Sequence, residues 1–408
     1  MDESGWSGPK TQKLRGNFVS RRVQAQSVSE PGFFIFAGVR AVRYASFFQT
    51  PYAVFISGIQ QIGIGVSDVH AAFRWYRQTF GMDVPMFEEA AVAGLMLPYT
   101  GGQPQARHAI LALNMQGGGG MEIWQYTGRT PMPPAFQPQL GDLGIFVAKV
   151  KCKDVTACFH DLRKRGVNVV TTPLPRPDGR DHFFLKDPWG LTFEVVSADD
   201  WFATDRPQQT GGVYGVIIGV RDLERSRAFY TDLLGYDAVV YDQTDDFDDL
   251  HGVDGGFGRC RRMLLRPAQA QVGPFSRLLG ASEIELVQTL DRTPRAIYEQ
   301  RFWGDLGFIH LCFDITGMAE MKAACAERGH PFTVDSSGSF DMGEAAGYFS
   351  YIEDPDGTLI EFVETHKIPI LKKIGWYLDL RKRRHPARPL PTWMLRTLGF
   401  GRVKEESK

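Results

Sequence analysis

Twice in this chain a glutamate stands inside a run that otherwise reads as a buried strand. The first run is Asp187-Pro188-Trp189-Gly190-Leu191-Thr192-Phe193-Glu194, followed by two valines. The second is Asp354-Pro355-Asp356-Gly357-Thr358-Leu359-Ile360-Glu361, followed by Phe362 and Val363. In each, an acidic turn feeds an apolar strand and the glutamate lies four residues after the glycine. A carboxylate in such a setting must be paired, protonated or bound to a metal ion, because an unpaired buried charge is too costly. Two more glutamates, Glu122 in Met121-Glu122-Ile123-Trp124 and Glu285 in Glu283-Ile284-Glu285-Leu286, have the same strand-like surroundings. Matched carboxylates of this kind point to a repeat, with acid–base or metal chemistry as the candidate function.

The elements that would position them are legible in order. Gln61 to Val66 is a strand pattern closed by Ser67-Asp68, either of which suits a helix cap. The following helix carries Phe73, Trp75, Tyr76 and Phe80 and stops at Gly81. Ala109 to Leu113 and Met121 to Trp124 then form a hairpin across Gly117–Gly120, a turn rather than a phosphate loop, since no Lys-Ser/Thr pair follows. A second unit runs from Gly144 through a helix at Phe159 and Leu162 to Glu194. A third repeats the first: Val220, Asp222, Tyr230 and Gly235 match Val66, Asp68, Tyr76 and Gly81 at a constant offset of 154. A fourth repeats the second, His310 to Gly329 matching Val147 to Gly166 over 19 positions, and closes at Glu361.

This gives an N-terminal extension (1–54), two units in 55–200, a polar linker (201–210), two units in 211–365, and a basic extension (366–408). Between His366 and Lys404 the last segment has eleven Lys or Arg against one acid, Asp379. Its prolines at 386, 389 and 391 break any continuous helix, which favours packing on the domain over a membrane surface. The net charge of −1 argues against a nucleic-acid-binding protein. Five cysteines without a CxxC pair suit a reducing compartment. With no run of about 20 apolar residues and no clean signal peptide, the expected location is cytoplasmic, and the expected state a monomer or homodimer.

With the Val-x-Asp…Tyr…Gly helix and the Asp-Pro-x-Gly-x-x-x-Glu closing strand in place, residues 57–365 resemble the vicinal oxygen chelate superfamily. This group includes glyoxalase I, extradiol dioxygenases, epimerases and antibiotic-resistance proteins. The resemblance implies an α+β fold: four βαβββ units forming two cup-shaped mixed sheets with helices outside. It implies metal ligands on the first and last strands of each unit, here Gln61, Val147, Gly215 and His310 with Glu122, Glu194, Glu285 and Glu361. If consecutive units shared a site, each half would be one ligand short. Four-unit glyoxalase I proteins pair unit one with four and unit two with three, which gives Gln61, Glu122, His310 and Glu361 as one complete metal site. Glu194 and Glu285 would be left in a degenerate one, paired with arginine.

Such a ligand set suits Zn, Ni, Co, Mn or Fe. The implied function is a divalent-metal-dependent isomerase or lyase acting on a small carbonyl-containing substrate through an enediolate-type intermediate, with Glu361 as general base and Glu122 on the opposite face. The alternatives are a sequestering protein without catalysis, or a ring-cleaving dioxygenase; the latter needs a second histidine that neither half supplies. Gly65 stands where glyoxalase I carries its glutathione-binding arginine, which argues against a glutathione hemithioacetal. His108 and His182 are further candidates for substrate contact. The pocket is expected at the junction of units one and four, lined by their helical and Gly-rich segments.

Overall fold

The computed structural model describes residues 54–337, 347–371 and 376–403. The N-terminal extension lies outside them, apart from Val54. Unit one consists of β1 (Phe55–Gly65), α1 (Val69–Phe80), β2 (Val84–Ala93), β3 (Gln105–Leu113) and β4 (Gly120–Tyr126). Unit two is β5 (Gly144–Cys152), α2 (Val155–Lys164), the two-residue strands β6 (Asn168–Val169) and β7 (Leu174–Pro175), β8 (Asp181–Lys186) and β9 (Thr192–Ser197). Unit three is β10 (Thr210–Gly219), α3 (Leu223–Leu234), β11 (Ala238–Asp245), β12 (Cys260–Arg266), the short α4 (Ser276–Leu279) and β13 (Glu283–Thr289). Unit four is β14 (Gly307–Thr316), α5 (Met318–Glu327), β15 (Val334–Asp335), β16 (Gly347–Glu353) and β17 (Leu359–Thr365).

The units pair across the two halves of the chain. One mixed sheet runs β15-β16-β17-β14-β1-β4-β3-β2, joining units four and one. The other runs β11-β12-β13-β10-β5-β9-β8-β6, joining units three and two. At each seam two first strands meet antiparallel, β1 with β14 and β10 with β5, while each first strand lies parallel to the last strand of its own unit. Neither half of the sequence builds a whole sheet.

Consecutive units are tied differently. The Tyr76 hydroxyl donates to Asp187 at 2.7 Å, and the Tyr230 hydroxyl donates to Asp354 at 2.9 Å. The repeated helix tyrosine and the repeated Asp-Pro turn are thus partners, unit one with two and unit three with four. Burial raises both carboxyls to about 6, against the lowering effect of the tyrosine and backbone donors. Helices α1, α2 and α3 begin at aspartate caps: Asp68, Asp154 and Asp222 accept from the backbone N–H three residues on, and Gly81 and Gly235 end α1 and α3 in left-handed conformation. Unit four departs, with Gly317 at the cap position donating its N–H to Glu364.

Strand alternation sorts the faces. Ile62, Ile64, Ile110, Ala112, Met121, Ile123, Leu311, Phe313, Ile360 and Phe362 fill one core together with the helices, so Gln61, Glu122, His310 and Glu361 turn to the opposite face. Beyond unit four come β18 (Lys367–Leu371), β19 (Trp376–Asp379) and α6 (Thr392–Arg396). Leu380, Leu390 and Leu395 of this tail pack against Val84, Leu113, Met115 and Leu278, as the proline-broken sequence implies. Among the described residues no helix is long and apolar enough to cross a membrane.

Candidate metal centre

Four strands bring the predicted quartet together. In the parallel ladder of β1 and β4, Gly63 lies opposite Glu122; in that of β14 and β17, Cys312 lies opposite Glu361. Across the seam, Gln61 faces Cys312 and Gly63 faces His310. Gly63 is required here: a Cβ on it would sit 2.4 Å from the His310 ring, so only glycine leaves the imidazole its place. The His310 Nε2 atom lies 3.3 Å from Glu122 Oε2 and 3.0 Å from Glu361 Oε2, and Gln61 donates its amide to Glu122 at 2.9 Å. Gln61 rather than the adjacent Gln60 enters this site; Gln60 turns to Asp314 and Cys312.

The electrostatics show what the cluster lacks. Burial alone would depress the His310 pKa, but Glu361 and Glu122 face it and raise it to about 9. Burial likewise works to raise the Glu122 carboxyl, but the hydrogen bond and charge of His310 win and lower it. The Gln61 Oε1 atom is buried without a hydrogen-bond partner, while His310 Nε2 and Glu361 Oε2, equally buried, face each other at 3.0 Å. Ligands about 2.1 Å from a common ion stand roughly 3.0–3.4 Å apart in octahedral or tetrahedral arrangement, the separations seen here. A divalent cation fits this donor set better than a proton, which answers one lone pair at a time.

Sequence reasoning missed the residues behind the quartet. The Tyr351 hydroxyl lies 3.4 Å from His310 Nδ1, leaving Nε2 to face the carboxylates. Trp124 meets Trp303 edge-on at 4.2 Å, and Trp303 meets Tyr351. A cavity of about 420 Å³ lies beyond this aromatic wall, lined by Tyr99, Arg301, Phe302, Trp303, Ile309 and Leu359. None of the quartet lines it, nor do the helical and Gly-rich segments that the sequence suggested. The strand pattern of β16, Tyr348-Phe349-Ser350-Tyr351, gave no cue, because Tyr351 reads as one more core aromatic.

The second sheet holds the counterpart site, with Val147 and Gly215 at the first-strand positions. Its centre is filled by a residue the sequence reading passed over. The buried Lys149 ammonium lies 2.6 Å from Glu285, 2.9 Å from Glu194 and 3.2 Å from Glu283. Arg176 pairs with Glu194 and Glu283, and Arg262 with Glu285 and Asp249. His182, a candidate for substrate contact, is sealed between Glu194 (2.8 Å) and Asp249 (3.2 Å) and is part of this network instead. Each carboxylate already has a fixed cation, so this site has no vacancy for an ion. A lysine in the buried run Val147-Ala148-Lys149-Val150 was the available signal, by the same reasoning that singled out Glu361. His108 lies on the outer face of the first sheet, beside His70 and Glu88.

The comparisons with known proteins agree with this architecture. A family model for the glyoxalase/bleomycin resistance protein/dioxygenase superfamily matches residues 58–195 and 213–362. A putative dioxygenase from Bacillus subtilis superposes with a TM-score of 0.50 at 14% identity, covering 87% of this chain and 99% of its own, a likeness of fold. Glyoxalase I from Zea mays gives a TM-score of 0.47 at 17% identity, over 75% of this chain and 92% of its own. No curated protein sequence matches the chain. The two matched segments take in both halves of the repeat, and the chain belongs to the glyoxalase/bleomycin resistance/dioxygenase superfamily.

Proposed function

We propose that the protein is a divalent-metal-dependent isomerase or lyase of a small carbonyl-bearing substrate, with its catalytic metal site at Gln61, Glu122, His310 and Glu361. The observation that carries this is the convergence of one ligand atom each from Glu122, His310 and Glu361 within 4.8 Å of one another, with Gln61 beside Glu122. Bound there, the ion would supply Lewis acidity to a substrate carbonyl and so acidify the neighbouring C–H. The chain's residues account for the rest. Glu122 and Glu361 come from opposite sides of the seam, so one carboxylate takes a proton from one side of a substrate and the other returns it. His310, its Nδ1 beside the Tyr351 hydroxyl, presents Nε2 to both carboxylates. The quartet's side chains are at most 12% exposed, which keeps water from competing for the proton.

Elemental analysis of purified protein beside His310→Ala and Glu361→Ala tests the site; near one ion per chain, lost in both variants, is expected. Deuterium uptake from solvent into hydroxyacetone, followed by NMR, tests the chemistry, with Glu361→Gln expected to abolish it. An absence of stoichiometric metal after reconstitution sinks the metalloenzyme reading. Metal without any carbon-bound exchange across simple hydroxycarbonyls leaves a ligand-binding protein.

A further inference from the structure

Three lone-pair donors converge a second time, on the other face of the same sheet. His70 is the second residue of α1, Glu88 lies on β2 and His108 on β3. His108 shares its side of β3 with Ile110 and Ala112, which pack under α1, so the cluster faces away from Glu122. The His108 Nε2 atom is 3.2 Å from Glu88 Oε1, and the His70 Nδ1 atom is 3.8 Å from the same oxygen. The two rings meet edge to face with centroids 5.1 Å apart. One atom from each side chain lies within 4.8 Å of the other two.

We propose that His70, Glu88 and His108 form a second, exchangeable metal site that takes a borderline divalent ion such as Zn²⁺. Ligands about 2.0–2.1 Å from a tetrahedral ion stand roughly 3.3 Å apart, and the two measured contacts bracket that value. Two imidazoles and one carboxylate prefer Zn²⁺, Ni²⁺ or Cu²⁺ to Ca²⁺ or Mg²⁺, which demand more oxygen ligands. No further ion pair or hydrogen bond among the described residues engages these three side chains, so an ion has no competitor to displace. The donors come from elements already fixed without it. Asp68 caps α1 at Ala71, Gln125 accepts the Val69 N–H, and the β2–β3 ladder pairs Glu88 with Ile110 and Ala90 with His108. Side-chain exposures of 53%, 49% and 23% leave water free to complete the coordination shell. Closed over an ion, the site staples the first turn of α1 to the β2–β3 hairpin.

This site is independent of the quartet, and Zn²⁺ titration of the full-length protein after chelator treatment separates the two. His70→Ala/His108→Ala is expected to bind one equivalent fewer than the wild type, and His310→Ala/Glu361→Ala to keep the equivalent that the first pair loses. Mg²⁺ in place of Zn²⁺ is expected to leave the outer site empty. Long-range ¹H–¹⁵N imidazole spectra of the unaltered protein supply an atom-level reading: Zn²⁺ should shift Nδ1 of His70 and Nε2 of His108. Equal Zn²⁺ stoichiometry in the wild type and the His70/His108 variant overturns the proposal. So do imidazole signals of these two residues that stay unmoved by Zn²⁺.

Discussion

Replacing Lys149 with methionine tests whether the second sheet is held by an ammonium standing at its centre. The substitution keeps most of the side-chain volume and removes one charge. Glu283 and Glu285 retain arginine partners and Glu194 retains Arg176 and His182 on Oε1, but its Oε2 loses Lys149, and the cluster is left with an uncompensated negative charge in full burial. Removing one member of a buried ion pair typically costs about 3–5 kcal/mol. With an unfolding entropy of roughly 0.7 kcal/mol/K for a chain of this size, the melting temperature should fall by about 4–7 °C at pH 7. The loss should depend on pH. In the wild type, burial opposes ionisation of Glu194, but Lys149, His182 and Arg176 prevail and hold its carboxyl well below the usual range. Its contribution is therefore complete above the unfolded value of 4.5 and fades only as pH falls through the lower folded one. In Lys149→Met a proton can neutralise the excess charge, so the gap between the two proteins should narrow from pH 7 to pH 5. Lys151→Met is the control: equally buried, Lys151 donates to the Asp200 carbonyl instead of a carboxylate, and burial lowers its pKa to about 8. It should cost far less. Calorimetry of the three proteins across that pH range decides. If Lys149→Met melts with the wild type at pH 7, or the gap is as wide at pH 5, the ammonium does not centre the network.

Gly63→Ala should abolish metal binding at the quartet while circular dichroism stays native, because the added Cβ would displace the His310 ring. Tyr76→Phe and Tyr230→Phe each remove a hydroxyl that donates to a buried carboxyl and should cost about 1–2 kcal/mol in denaturant unfolding. Because burial raises Asp187 to about 6, the folded state binds its proton more readily than the unfolded chain does. Stability should thus decline as pH rises from about 4 to 6 at this residue, by at most roughly 3 kcal/mol, and Asp187→Asn should remove that slope. Leu395→Ala should destabilise the protein by about 2–4 kcal/mol if the tail is an integral part of the core, as its burial beside Leu113 and Leu278 implies.

Local chemistry made much of this protein legible in one dimension. Helix caps at Asp68, Asp154 and Asp222 and stops at Gly81 and Gly235 are short-range devices, so their residue types declare them. The four units follow from strict spacing, and Glu122 and Glu361 stand out because a polar group in an apolar strand demands a partner, whereas Gln61 and His310 are singled out by the family resemblance. The partner itself is set by which strands meet, and strand pairing is a long-range event that residue types do not encode locally. Gly63 against His310, 247 positions along the chain, is visible only once β1 and β14 lie side by side. The same holds for Tyr76 with Asp187, two repeated residues whose connection the repeats alone did not reveal. Lys149 shows the limit most clearly. A lysine in a buried run signals that a partner must exist, but only tertiary structure surrounds it with three glutamates from β9 and β13 and fixes it there as their cation.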